Sequence, residues 1–147
     1  SALDGFGFQT SAAYTDSKLT ITDPIGGGTF DSDVPGLSKW VVNSTAFFEK
    51  GGFEARVSHR FRSSFLAEFI GISASRDFRR TYSESIFDAQ VGYRFQPGSA
   101  LEGLSIFVQG QNLTDEPFVT DDPRDARAVI DYQVYGRRFL AGATFKF

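Results

Sequence analysis

Apolar and polar residues alternate one by one along most of this chain, which is the period of a β-strand with one apolar and one polar face. In 5–16, "GFGFQTSAAYTD", Phe6, Phe8, Ala12 and Tyr14 fall on one face, with Gly7, Gln9, Ser11 and Thr15 on the other. In 40–50, Val42, Ser44, Ala46 and Phe48 oppose Asn43, Thr45 and Glu49. The stretch 53–62, "FEARVSHRFR", sorts into Phe53, Ala55, Val57, His59 and Phe61 against Glu54, Arg56, Ser58, Arg60 and Arg62. In 86–95, Phe87, Ala89, Val91, Tyr93 and Phe95 oppose Asp88, Gln90, Gly92 and Arg94. Leu104, Ile106, Val108 and Gly110 share a face in 104–112, and the last segment sets Tyr135, Phe139, Ala141, Ala143, Phe145 and Phe147 against Gly136, Arg138, Thr144 and Lys146. No segment sustains a 3.6-residue pattern, so the chain reads as all-β with six strands.

The connections alternate in length. "EKGG" (49–52) and "QPGSALEG" (96–103) are short turns rich in Gly and Pro, whereas roughly 17–39, 64–84 and 114–131 are long;. Short turns at one end and long loops at the other are the plan of an antiparallel outer-membrane β-barrel, and strands of about 9–11 residues suit a tilted crossing of the hydrocarbon layer. Ring-bearing residues sit near the strand ends of the apolar faces with small residues between. A lipid belt between aromatic girdles requires that order. Opposite them, Arg56, Arg60, Arg62, Arg94, Arg138 and Lys146 lie where a watery lumen would solvate them. A soluble β-sandwich would also alternate, but the arginine-rich polar faces and the one-sided long loops weigh against it.

Composition narrows the function classes. Aromatics make up 16% of the 147 residues, which is incompatible with a disordered chain, and a net charge of -3 offers no basic surface for nucleic acid;. Without cysteine, disulfides, thiolate metal sites and cysteine nucleophiles are excluded, and the redox compartment stays open;. The opening "SALDGFGFQT" has neither the basic start nor the apolar stretch of a secretory leader;. Strictly apolar runs reach only three residues, far below the roughly 20 of a helical span, so any membrane is crossed by strands.

Six strands do not close a membrane barrel, since the smallest use eight and an open sheet in lipid would leave costly unpaired edges. Stretches 64–72 and 78–84 would extend two strands above the membrane as a longer hairpin. The chain is therefore expected to be the end piece of a larger barrel, or part of one built from several chains. Counting back in twos from the terminus gives Phe147, Phe145, Ala143, Ala141 and Phe139. This resembles the C-terminal signal that outer-membrane barrels present to their assembly machinery.

"LSIFVQGQNLTDEPF" (104–118) resembles the end of TonB-dependent outer-membrane receptors: an apolar strand runs into Asn112, Leu113, Asp115 and Pro117, one hairpin before a terminal Phe. "GLSKWVVNSTAFFEKGGFEARVSHRFRSSFL" (36–66) and "FDAQVGYRF" (87–95) are similar to preceding strands of that family, especially its proteobacterial, carbohydrate-type branch. The resemblance implies the last six strands of a barrel of about 22, a plug that engages the TonB complex, and active uptake of a nutrient across the outer membrane of a Gram-negative bacterium. The plug and the earlier strands are not in this sequence. The implied partners are outer-membrane lipid, the rest of the barrel with its plug, the assembly machinery and a small nutrient ligand. A carbohydrate is the first expectation for the cargo; a siderophore-iron receptor of the same family and a passive porin are the alternatives, with a soluble binding or adhesion domain behind them.

No enzyme constellation or cofactor is expected. Asn112 and Asp115 suit side-chain-to-backbone bonds that tie a strand end to its loop, with Pro117 stopping the ladder. The acidic run 115–131 lacks the spacing and glycine of a calcium loop and reads as a solvated outer loop. His59, the single histidine, is expected to face outward near a membrane boundary. "GGG" at 26–28 lacks the Lys-Ser/Thr of a phosphate loop, and "NST" (43–45) and "NLT" (112–114) lie on or beside strands. Arg56, Arg60, Arg62 and Arg94 are expected to contact the lumen or the plug. Trp40, with Phe30 and Tyr82, is a candidate for stacking on a sugar ring.

Overall fold

The computed structural model describes residues 4–22, 26–70 and 76–146, and among these there is no helix. The strands are β1 (Phe6–Tyr14), β2 (Leu19–Thr22), β3 (Thr29–Ser32), β4 (Trp40–Lys50), β5 (Phe53–Arg62), β6 (Phe65–Ile70), β7 (Arg76–Thr81), β8 (Glu84–Arg94), β9 (Leu104–Gln111), β10 (Phe118–Asp122), β11 (Asp125–Gln133) and β12 (Arg138–Phe145). They form an antiparallel six-stranded sheet in the order β1-β4-β5-β8-β9-β12, a four-stranded sheet β11-β10-β7-β6, and the hairpin β2-β3.

The six strands of the main sheet are those the alternation predicts: β4 and β5 have the expected ends, and the others differ by at most three residues. Gly51 and Gly52 have φ of +59° and +85° and form the two-residue turn between Lys50 and Phe53. Positive φ at both turn positions matches the right-handed twist of the flanking strands, and Gly adopts it without a Cβ clash.

Register fixes the two faces. Phe8 pairs with Ala46, Ala46 with Val57, Val57 with Ala89, Ala89 with Gly110, and Gly110 with Phe139, so one face is apolar across all six strands. Nothing from the described chain covers it: Phe8 is 64% exposed, Val108 57% and Phe139 68%. No hydrophobic side chain is buried among the described residues. Rings band the two ends of this face. Tyr14 and Trp40 pack at 4.8 Å between centroids at the loop end, and Phe48 with Phe53 (6.1 Å) and Tyr93 with Phe95 (5.1 Å) at the turn end. His59 stacks on Phe87 at 4.3 Å on the same face, its Nε2 2.9 Å from Ser85 Oγ. Between the bands lie Ala55, Val57, Ala89, Val91, Ala141 and Ala143. From Phe53 to Phe61 the strand rises about 27 Å.

The opposite face carries the polar set, including Arg56, Arg60 and Arg94. Its aromatic exceptions lie over glycines: the rings of Phe47 and Phe107 occupy the space that a Cβ would take at Gly7 and Gly142. Cross-strand cover of this kind restores packing where glycine has no side chain.

Three stretches read from sequence as long loops contain strands. The region 17–39 holds β2 and β3, and 64–84 holds β6 and β7 as the expected longer hairpin. The run 114–131 is not one solvated loop, because β10 and β11 form a hairpin there and β10 pairs with β7. β10 does not alternate, because it buries the consecutive Thr120 and Asp121, whereas β11 does, with Ala126, Ala128, Ile130 and Tyr132 at every second position of a largely polar run. The outer sheet thereby repeats the order of the main one, with β6 following β5, β7 preceding β8, β10 following β9 and β11 preceding β12 in the chain. Tyr135 is also displaced from its expected apolar face: Gly136, at φ +76°, separates it from β12. Phe147, the end of the expected assembly signal, lies outside the described residues; Phe139, Ala141, Ala143 and Phe145 hold the outward positions of β12.

A Cβ at Gly142 would sit 2.5 Å from Phe107 Cε1. Gly142→Val is expected to destabilise the sheet by about 1–3 kcal/mol through overpacking, and Phe107→Ala in the same chain to recover part of the loss. Urea-unfolding midpoints of the single and double variants measure both effects.

Candidate functional site

The polar face opens into a cavity of about 290 Å³ at its loop end, lined in part by Arg60, Glu84, Asp88, Gln111, Tyr135 and Arg138. Strand register brings these groups together. Gln111 and Arg138 are directly opposed in β9 and β12, and Arg60 opposes Ile86, between Glu84 and Asp88, across β5 and β8. Ile86 and Phe118 add apolar wall.

The floor is held by Asn112, which adopts φ +51° where β9 ends. Its Oδ1 accepts the Glu116 N–H at 2.9 Å, and its Nδ2 donates to the carbonyls of Glu116 and Gly136 at 3.3 Å each. Its own N–H donates to Asp88 Oδ1 at 2.9 Å, while Asp88 Oδ2 lies 3.6 Å from Arg60 Nη2. Glu116 Oε1 in turn accepts the Ser85 N–H at 3.2 Å. Asn suits this position because its side chain mimics backbone and it tolerates left-handed φ better than most residues. Asp115, at φ +57°, takes part through its N–H, donated to the Asn112 carbonyl at 2.9 Å. Leu113 covers Gly110 on the apolar side, and Pro117 lies just before β10.

The four arginines expected to contact the lumen or the plug are spread along the polar face. Arg60 alone reaches the cavity. Arg62 is bound by its own fold: Nε donates to Ser38 Oγ at 2.7 Å, Nη2 to the Gly36 carbonyl at 2.9 Å, and the guanidinium lies 3.8 Å from the Phe65 ring centroid. It clamps the connection before β4. Arg56 lines a separate recess with Glu49, Glu54 and Gln90, and Arg94 lies at the short-turn end. Trp40, the candidate for sugar stacking, stands on the apolar face against Tyr14, turned away from the cavity.

Sequence reasoning missed the polar cluster that builds the outer sheet. Asp121 is fully buried and receives a two-pronged pair from Arg80, Nε to Oδ1 at 3.0 Å and Nη2 to Oδ2 at 2.5 Å, with Tyr82 Oη donating at 2.9 Å. On the other side of the same strands, Asp131 Oδ2 accepts from Arg79 Nη1 at 2.8 Å and from Thr120 Oγ1 at 2.9 Å. The hydrogen bonds from Arg80 hold the Asp121 carboxyl below the usual carboxylate range, against the opposing effect of burial. A complementary pairing of the arginines in "RDFRRT" with the aspartates of 118–131 was the available signal, but nothing local indicates that they meet.

No family model, curated protein or solved structure matches the chain.

Asn112→Ala is expected to cost about 2 kcal/mol, from lost side-chain bonds and from the left-handed φ; Asn112→Gly should recover only the backbone part, as read from unfolding midpoints. Arg80→Ala, which strands a buried carboxylate, should open β7–β10 by about 3 kcal/mol, more than Asp121→Asn does. Because the folded Asp121 pKa is lowered, its contribution is complete above the unfolded value near 4 and fades as pH falls through the lowered one. Hydrogen exchange of the β10 amides at pH 7 and pH 3 checks the sign.

Proposed function

We propose that the six-stranded sheet is a section of the wall of an outer-membrane β-barrel, and that the chain is the C-terminal part of a TonB-dependent receptor that takes up a carbohydrate. The observation that carries the membrane reading is the apolar face, continuous over six strands and left uncovered by the described chain. In water such a surface would far exceed the apolar patches that monomers tolerate; in lipid it needs no cover. Bands of Tyr, Trp and Phe at both ends of the face, small residues between, and polar groups on the other face support the same reading. The free edges of β1 and β12 would pair with the other strands of the parent barrel, because no unpaired edge is stable in hydrocarbon.

The receptor class rests on the resemblance of 36–66, 87–95 and 104–118 to the family, and uptake there is binding plus gated passage rather than catalysis. The complete polypeptide is expected in the outer-membrane fraction at a mass several times the 16.2 kDa of this chain. Uptake of labelled oligosaccharide by whole cells should stop when TonB is deleted. Uptake that survives the deletion would indicate a passive pore, and TonB-dependent uptake of a ferric siderophore with none of sugar would replace the cargo.

A further inference from the structure

The cavity at the loop end of the polar face holds more hydrogen-bonding groups than the fold uses. Asp88 is engaged by Arg60 and by the Asn112 N–H, and Glu116 by the Ser85 N–H. The side chains of Glu84, Gln111 and Arg138 make no hydrogen bond or ion pair among the described residues, yet all three line the same space. Unused polar groups that converge in one cavity are the mark of a ligand contact.

Their chemistry selects the ligand. The Glu84 carboxylate only accepts, the Arg138 guanidinium only donates, and the Gln111 amide does both. A hydroxyl donates and accepts, so vicinal hydroxyls satisfy all three. A carboxylate ligand would face Glu84 and an ammonium would face Arg138. Among the charged residues of the lining, three carboxylates (Glu84, Asp88, Glu116) stand against two guanidiniums (Arg60, Arg138), so no strong field favours an ion. Tyr135, 74% exposed at the rim, presents a ring to the C–H face of a sugar, and Ile86 and Phe118 supply further apolar wall. A volume of about 290 Å³ is at the lower edge of small-molecule sites and admits one ring at a time.

We infer that this cavity is a subsite for one ring of a neutral oligosaccharide, with Glu84, Gln111 and Arg138 reading its hydroxyls and Tyr135 stacking on it. The inference rests on the carbohydrate-receptor reading above. The test uses the complete detergent-solubilised receptor, titrated calorimetrically with maltohexaose, cellohexaose, xylohexaose and hexagalacturonate. One of the three neutral chains is expected to bind. Glu84→Gln, Arg138→Leu and Tyr135→Ala should each weaken it roughly tenfold, while Arg56→Gln, on the same face but in a separate recess, stays within twofold. Tyr135→Ala removes an exposed ring outside the ladder, so its effect stands even where the other two impair assembly. Neutral-sugar binding indifferent to Tyr135 and Arg138 overturns the subsite and leaves the receptor reading intact. Binding of hexagalacturonate alone overturns the neutral class. Binding of a ferric siderophore and of no oligosaccharide overturns both.

Discussion

Because the described residues bury no hydrophobic side chain, the antiparallel backbone ladder of the six-stranded sheet is the interaction on which every other feature depends. In an ordinary domain, apolar side chains leave water for a shared core, and that transfer supplies most of the favourable free energy. Here the apolar side chains project away from the chain. Order comes instead from inter-strand hydrogen bonds, which are worth most where water is scarce and no other partner exists for a backbone N–H. The same requirement explains the tight Gly51-Gly52 turn and the covering of Gly7 and Gly142 by Phe47 and Phe107: each keeps the ladder continuous without a side-chain core behind it.

Where the ladder leaves the main sheet, side-chain polar bonds take over. At the end of β9 the chain bends through Asn112, whose amide stands in for two backbone partners. Above the bend, Arg80 and Asp121 lock β7 to β10, and Asp131 binds Arg79 and Thr120 on the opposite side of the strands. A buried carboxylate in that position is tolerable only with its charge matched and both oxygens hydrogen-bonded, and both conditions are met;. The outer sheet is thus held by polar groups on both of its faces, which suits a surface in contact with water.

The division of labour on the polar face follows from the same logic. Arg62 is used up in clamping the connection to β4, and Asp88 and Glu116 in fixing the β9 bend. The side chains left over, Glu84, Gln111 and Arg138, are those that converge on the cavity. The groups that hold the fold and those free to line the cavity therefore occupy neighbouring positions of the same strands without sharing atoms.

The sequence by itself determined the all-β class, the six strands of the main sheet, their two faces and the short Gly-rich turns. Each of these depends on contacts between residues two apart or on local φ preference, and period-two alternation records them directly. It also marked Asn112 and Pro117, because a left-handed Asn and a missing N–H act locally. The tertiary structure decided the rest. That Arg62 meets Ser38, that Arg80 meets Asp121 and that Glu84, Gln111, Tyr135 and Arg138 share one cavity depends on registers between strands up to about 50 residues apart, which alternation does not encode. The strand β10 escaped the sequence for a related reason: its buried residues are Thr120 and Asp121, satisfied by hydrogen bonds rather than by burial of apolar surface, and the alternation of Ala126, Ala128, Ile130 and Tyr132 in β11 sits within an acidic run that reads as a loop.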